Sequence, residues 1–328
     1  MKKKIISILS FVIICIGLVG YYFFKPPKVS IVMPVYNGAQ YLERTIGFLL
    51  LSNYRDFEFV IIDDGSTDNS WEKLQEIAKQ DRRIKLYQNE KNMGIVKTRN
   101  RGWQLARGEY IAPMDQDDLS LPERLELEVE YLDKHPDVAL VDVGTISMAA
   151  YNKGISIPRV GAVSYLFKDD KAETQLLTLD ERDENIKLSL FFSLAYPVQS
   201  GSMLRRSFFD KNHIKWSEGI LVTDDYWMYA EMIEKEARFH HIDNIAHIYN
   251  DVRAHSDDFM KKRAEEVLGV KRKMFAWAGI DYEGYENLEV EEYMCRLFKD
   301  MLNLPDEKRK FSKSLLEKNQ KLLCQAKE

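Results

Sequence analysis

From Val29 onward, short apolar runs alternate with stretches in which apolar residues recur every three or four positions. Val29 to Met33, Phe57 to Ile62, Ile84 to Tyr87, Tyr110 to Met114 and Val138 to Val143 read as strands, each a brief apolar run between polar or turn-forming residues. Tyr41 to Leu51, the segment carrying Trp71, Leu74, Ile77 and Ala78, and Ile95 to Ala106 have helical spacing. Another helix starts at Ser120-Leu121-Pro122-Glu123, a capping-box pattern with an early proline, and ends near His135-Pro136. Strands alternating with helices predict an α/β fold with a mostly parallel, Rossmann-like sheet and helices on both faces. Ligands of such sheets bind beyond the carboxyl ends of the strands. Asn37, Asp63-Asp64 and Asp115 to Asp118 each follow a predicted strand end and should converge in one crevice.

The start of the chain has a different pattern. Lys2, Lys3 and Lys4 precede an uncharged apolar run from Ile5 to Phe24, and a helix of about 20 residues spans a bilayer core. Tyr21 to Phe24 resemble an interfacial aromatic belt, and Lys25-Pro26-Pro27 would end the helix. An N-terminal transmembrane helix and a single-pass membrane protein, held in the membrane through residues 5–24, are therefore predicted. A cleaved signal peptide is the competing reading, but its apolar region is usually shorter and no small-residue cleavage site follows. Lysines before the run favour a cytoplasmic N-terminus and an exported main domain; Lys25 and Lys28 reduce that bias and leave the side of the domain open.

Three units result: a cytoplasmic tip and anchor (1–27), an α/β domain (28–258) and a C-terminal helical appendage (259–328) in which Lys and Glu alternate with apolar residues at helical spacing. Residues 150–190 are less regular and charged. The 328-residue chain has a net charge of −5, which gives no footprint for nucleic acid, so an anionic substrate would need local basic side chains or a metal. Cys15, Cys295 and Cys324 form no zinc pattern; a Cys295–Cys324 disulfide is compatible with the sequence but not indicated by it.

Candidate chemistry sits at the strand ends. Three carboxylates in Asp115-Gln116-Asp117-Asp118 repel one another without a cation, and carboxylates with substrate phosphates are the usual ligands of Mg2+ or Mn2+. An acidic turn capping the next helix is the alternative. Asp63 and Asp64 enter a Gly-Ser turn, where they could accept hydrogen bonds from a base N–H or ribose hydroxyls; helix capping by Ser66, Asp68 or Ser70 accounts for the same turn. Arg99, just after Asn92-Met93-Gly94, offers a planar fork to a diphosphate or a charge to a solvated face.

In order, these segments resemble the family 2 glycosyltransferases with the GT-A fold, over most of residues 28–255. Val32 to Asn37 looks like the family's opening strand and nucleotide loop, which implies nucleotide contacts from Pro34, Tyr36 and Asn37. Val60 to Ser70 resembles its DDGSTD segment, and Asn92 to Asn100 its N-x-G-x-x-x-x-R-N stretch, which brings in Gly94 and Arg99. Gly108 to Asp118 resembles a G-E-Y-I strand entering a D-x-D-D metal motif. Tyr196 to Arg206 is similar to the segment that enters the acceptor side. Thr223 to Met228 resembles E-D-Y-x-L-W, whose second acid, here Asp225, is the implied general base; Asp224 stands where Glu is commoner, and Met228 departs from the pattern. His255 falls where many members have a metal-holding histidine, but Tyr249-Asn250 replaces the usual Tyr-Arg, and a surface histidine is equally compatible. Trp227 could stack on a sugar or be a core aromatic.

The resemblance implies metal-dependent, inverting transfer of a hexosyl or N-acetylhexosaminyl group from a nucleotide-diphosphate-sugar, UDP first, to a hydroxyl of a glycan or lipid-linked acceptor. Asp115, Asp117, Asp118 and His255 would hold Mn2+ or Mg2+; Asp63, Asp64, Arg99 and Asp115 would bind the donor. A nucleotidyltransferase would normally show a Gly-rich loop near the first strand, where only Gly38 stands. A non-catalytic nucleotide-sugar binder would be expected to have lost acids that are intact here. A glycoside hydrolase also needs two carboxylates but has no use for the nucleotide-loop segments.

Overall fold

The structure, a computed structural model, describes residues 25–147, 183–191, 197–250, 256–286, 288 and 290–324. Its first half runs β1 (Val29–Val35), α1 (Leu42–Leu50), β2 (Phe57–Asp63), α2 (Ser70–Ala78), β3 (Ile84–Gln88), α3 (Ile95–Leu105), β4 (Tyr110–Pro113), β5 (Leu119–Ser120) and α4 (Arg124–Lys134). The second half runs β6 (Val138–Ser147), α5 (Asp183–Ser189), β7 (Ser202–Arg205), α6 (Arg206–Asn212), α7 (Asp224–Glu234), β8 (Arg238–Tyr249), α8 (Asp257–Ala278), α9 (Val290–Asn303) and α10 (Lys313–Cys324).

Successive side chains of a strand point to opposite faces, and here both faces are covered, which is why the strands read as unbroken apolar runs. Val29, Ile31 and Met33 of β1 and Phe57, Phe59 and Ile61 of β2 share one buried layer with Leu42 and Ile46 of α1 and Leu125 of α4. Val32, Val60, Ile62 and Ile111 face the other layer, with Val96 of α3. The C-terminal helices contribute Val270, Phe275, Phe298 and Leu316 to that same layer. A Cys295–Cys324 disulfide joins α9 to α10.

The strands form one sheet in the order β3-β2-β1-β4-β7-β6-β8-β5. β3, β2, β1 and β4 are parallel. β7 is antiparallel to both β4 and β6; β8 is parallel to β6, and β5 closes the edge antiparallel to β8. Six of the eight strands therefore run in one direction, as the mostly parallel sheet expected from the sequence requires, and only the short β7 and β5 run against them. The helix-crossover rhythm of the first half does not continue, because the four-residue β7 inserts between β4 and β6 in the opposite sense. Strand order reverses at β1: β2 and β3 lie to one side and β4 to the other. Such a switch point leaves a crevice at the carboxyl ends of the strands.

The predicted transmembrane helix and single-pass localisation are corrected. No helix among the described residues is long and apolar enough to cross a membrane. The longest, the 22-residue α8, is interrupted throughout by charges such as Lys261, Lys262, Glu265 and Lys271. The Ile5–Phe24 run lies outside the described residues.

Candidate functional site

A cavity of about 400 Å³ opens at the carboxyl ends of β1, β2 and β4, within the roughly 300–1,000 Å³ range of small-molecule sites. Pro34 and Tyr36 supply its wall from β1, Asp64 from the end of β2, and Asn92, Gly94 and Ile95 from the entry to α3. Arg99, Asp115, Gln116 and Asp117 form its polar side, and Tyr249 and Asn250 close it from the end of β8. Of the residues singled out in the sequence, the structure brings together Pro34, Tyr36, Asp64, Gly94, Arg99, Asp115 and Asp117 around this cavity.

The first loops are fixed by one another. The Asp64 N–H donates to Val35 O at 2.7 Å, which continues the pairing of β1 and β2. Its Oδ1 accepts from the Met93 N–H at 2.8 Å and from Asn89 Nδ2 at 2.6 Å, and its Oδ2 accepts from the Gly94 N–H at 2.9 Å. Asp64 thus anchors the loop before α3, whose N-cap Gly94 has φ +88°, a conformation open to glycine and costly for other residues. Asn37, just after β1, and Asp63, the last residue of β2, are not in the cavity lining. Asn37, at φ +48°, accepts from the Thr67 N–H at 2.8 Å and donates its own N–H to Ser66 Oγ at 3.0 Å. Ser70 Oγ accepts the Gly38 N–H at 2.9 Å. These hydroxyls hold the first loop instead of capping α2, whose N-cap Asn69 makes no side-chain cap bond. Asp63 is fully buried; its Oδ2 accepts from the Ser66 N–H and Gln88 Nε2, and its Oδ1 has no hydrogen-bond partner among the described residues.

The acidic segment divides by direction. Asp115 and Asp117 line the cavity, whereas Asp118 is buried away from it. Asp118 accepts from the Ser200 hydroxyl and from the Asn250 N–H at 2.8 Å, and its Oδ2 lies 3.4 Å from His247 Nε2. It fastens β8 and the Gln199–Gly201 turn to the acidic segment. Gln116 pairs with the backbone of Tyr36: its Oε1 accepts the Tyr36 N–H at 2.9 Å, and its Nε2 donates to Tyr36 O at 3.2 Å. A Cβ at Gly38 would come within 2.4 Å of that Oε1, so the pairing requires glycine there. His255 lies outside the described residues. No group of three or more His, Cys, Asp or Glu among the described residues is arranged to hold a metal ion. Two cavity carboxylates nevertheless fit a Mg2+- or Mn2+-type ion, which is commonly held by one or two carboxylates and completed by substrate phosphates and water.

Arg99 connects this side of the cavity to α7. Its Nη2 donates to Asp115 Oδ1 at 2.8 Å and its Nη1 to Asp224 Oδ2. Burial alone would lower the guanidinium pKa, but Asp224 and Asp115 hold it above its usual value. One residue on, the half-buried Asp225 accepts the Tyr226 N–H at 2.7 Å. Desolvation, then the charge of Asp224, pushes its carboxyl up to about 7, with Arg99 opposing. Asp225 is not part of the cavity lining. Trp227 turns its Nε1 to Glu231 and packs on α8, where a Cβ at Gly269 would lie 3.6 Å from its ring. Gln116, Tyr249 and Asn250 also line the cavity, and none of them stands out in the sequence as a site residue. Gln116 is the neutral member of an acidic run, and Tyr249-Asn250 stands out only as a departure from a family pair.

The glycosyl transferase family 2 profile matches residues 30–212, more than half of the chain, which therefore belongs to that family. An uncharacterized glycosyltransferase of Haemophilus influenzae is 28% identical over 208 residues, covering 63% of this chain and 60% of that protein; the chain thus matches less than two thirds of that relative's length. The putative glycosyltransferase EpsE of Bacillus subtilis is 38% identical over 121 residues, 37% of this chain and 44% of its own. Among solved structures, S. aureus TarS 1-349 in complex with UDP-GlcNAc superposes with a TM-score of 0.55 at 17% identity, covering 86% of this chain and 82% of that one. The mannosyltransferase PcManGT from Pyrobaculum calidifontis, in complex with GDP-Man and Mn2+, gives 0.54 at 15% identity, covering 91% and 70%. At these identities the likeness establishes the fold.

Proposed function

We propose that the protein is an inverting glycosyltransferase that moves a sugar from a nucleotide-diphosphate-sugar, UDP in the first instance, to a hydroxyl of a glycan or lipid-linked acceptor. The observation that carries this reading is the arrangement around Arg99. Its guanidinium joins Asp115, in the cavity, to Asp224, next to Asp225. A donor-binding acid and a base of raised pKa thus share one rigid connector. Structural neighbours bound to UDP-GlcNAc, to UDP and to GDP-Man with Mn2+ support a nucleotide-sugar as donor.

Tyr36 and Asp64 would hold the nucleoside, because both face the cavity from adjacent strand ends. Asp115 and Asp117 would hold Mn2+ or Mg2+. A bound ion supplies neutralisation of the charge that develops on the leaving diphosphate. Arg99 is committed to two carboxylates; it fixes Asp115 in place and opposes the rise in the Asp115 pKa that burial causes. Asp225 would take the acceptor's hydroxyl proton as general base, a role favoured when the pKa lies near the working pH.

Asp225→Asn tests this assignment. It should slow transfer of the sugar to an acceptor, with its accompanying release of nucleoside diphosphate, by orders of magnitude, while donor binding, measured by calorimetry, survives. Normal transfer by the variant would place the base elsewhere.

A further inference from the structure

The helix that carries Asp224 and Asp225 is poorly held by its own sequence. Its N-cap, Thr223, makes no side-chain cap bond. The lead-in contains Gly219, around which a Cβ would meet nothing, and Leu221, which is 52% exposed. The bonds that fix this lead-in come from α8. Glu266 Oε1 accepts the Leu221 N–H at 2.9 Å, and its Oε2 accepts the Val222 and Thr223 N–H groups at 2.9 Å each and the Thr223 hydroxyl at 3.2 Å. Burial alone would raise the Glu266 pKa, yet these donors hold it below its usual value.

The opposite end of α7 is also fixed by α8. Lys273 Nζ bonds to Glu234 Oε2 at 2.6 Å, on the last residue of α7, and lies 5.4 Å from the centre of the Trp227 ring. Between the two charges, the Trp227 ring packs beside Gly269 of α8, 3.6 Å from where a Cβ would stand. Residues 266, 269 and 273 fall on one helical face. The face presents a carboxylate at the start of α7 and an ammonium at its end, matching the helix dipole at both termini.

We propose that Glu266 is a positioning residue for the acid pair Asp224–Asp225: α8 grips α7 at both ends, and the Glu266 carboxylate sets where the first turn of α7 begins. The inference rests on the reading of Asp225 as the general base. On the sheet side, Arg99 holds Asp224; on the far side, Glu266 holds the three residues before it. Loss of Glu266 should displace the base without touching the donor cavity, because Glu266 contacts none of its lining through the bonds described.

The test uses the full chain and its Glu266→Ala, Glu266→Gln and Glu265→Gln variants, the last an exposed neighbour serving as control. Three quantities are measured: turnover at saturating donor, calorimetric affinity for UDP and GDP with Mn2+, and amide hydrogen exchange over residues 221–225. The inference predicts that Glu266→Ala loses about 100-fold in turnover, the scale of an ångström-sized misplacement, with nucleotide affinity unchanged and exchange at Leu221, Val222 and Thr223 accelerated. Glu266→Gln, which keeps one acceptor oxygen, should fall between Ala and wild type and serves if the Ala variant does not fold. Turnover at the wild-type level, a parallel loss of nucleotide affinity, or unchanged exchange in Glu266→Gln would overturn it. If the wild type neither binds nor turns over any donor, the function reading fails, and the exchange measurement still decides whether Glu266 holds the lead-in.

Discussion

The β1–β4 half and the β5–β8 half of the sheet build their parts of the site in different ways. In the first, parallel strands end side by side, and each places its polar residue one or two positions beyond its last apolar one: Tyr36, Asp64 and Asp115. Neighbours along the chain and across the sheet suffice to aim them. In the second, the strands are mixed in direction, and the functional groups are held by partners far away in sequence. Asp118 is bonded to Ser200 and Asn250, Asp224 to Arg99, and the start of α7 to Glu266. The first half is a surface made by topology; the second is a set of side-chain fastenings laid over it. Substitutions should therefore act through different quantities in the two halves.

The largest effect separates them directly. Asp225→Asn should cost transfer about 10²- to 10⁴-fold, the usual worth of a general base, with donor affinity intact. Asp117→Asn should instead weaken Mn2+-dependent donor binding by about tenfold or more, a loss of at least about 1.4 kcal/mol; calorimetry with and without Mn2+ reads it. Equal loss of donor binding in both variants would erase the distinction. Next is the pH profile. The base form of Asp225 is populated above about 7, so transfer should rise with pH through that value and then level. Burial is the first cause of the raised value and Asp224 the second, so Asp224→Asn should move the rising limb to lower pH; a limb that stays put would mean another group titrates.

Smaller effects belong to the fastenings. Ser200→Ala removes a buried donor to the Asp118 carboxylate and should cost about 2 kcal/mol of stability, as bonds to charged groups do, read as a lowered denaturation midpoint. Gln116→Ala breaks the pairing with Tyr36, worth about 1 kcal/mol, and should reduce donor affinity by about fivefold at most.

The same contrast governs what was legible in the sequence. Val29 to Met33, Phe57 to Ile62 and Tyr110 to Met114 announce strands because both faces are buried, and the polar residues after them fall into the crevice that the switch point makes. Arg99 was legible as a site residue but not in its role: no local pattern indicates that its fork spans Asp115 and Asp224, the latter 125 residues away. The three acids of the 115–118 segment look equivalent in sequence, yet Asp118 turns inward because Ser200 and the end of β8 meet it there. β5 and β7 are two and four residues long, too short to carry a periodicity. Glu266 reads as one more charge on a helix until α7 is seen beside it.

The central claim is that the crevice at the ends of β1, β2 and β4 is a nucleotide-sugar donor site. It is tested most directly by donor-dependent release of nucleoside diphosphate across a panel of UDP- and GDP-sugars, with and without Mn2+. The account predicts release from at least one donor, dependent on the metal and lost in Asp117→Asn. Absence of both binding and turnover with every donor would contradict it.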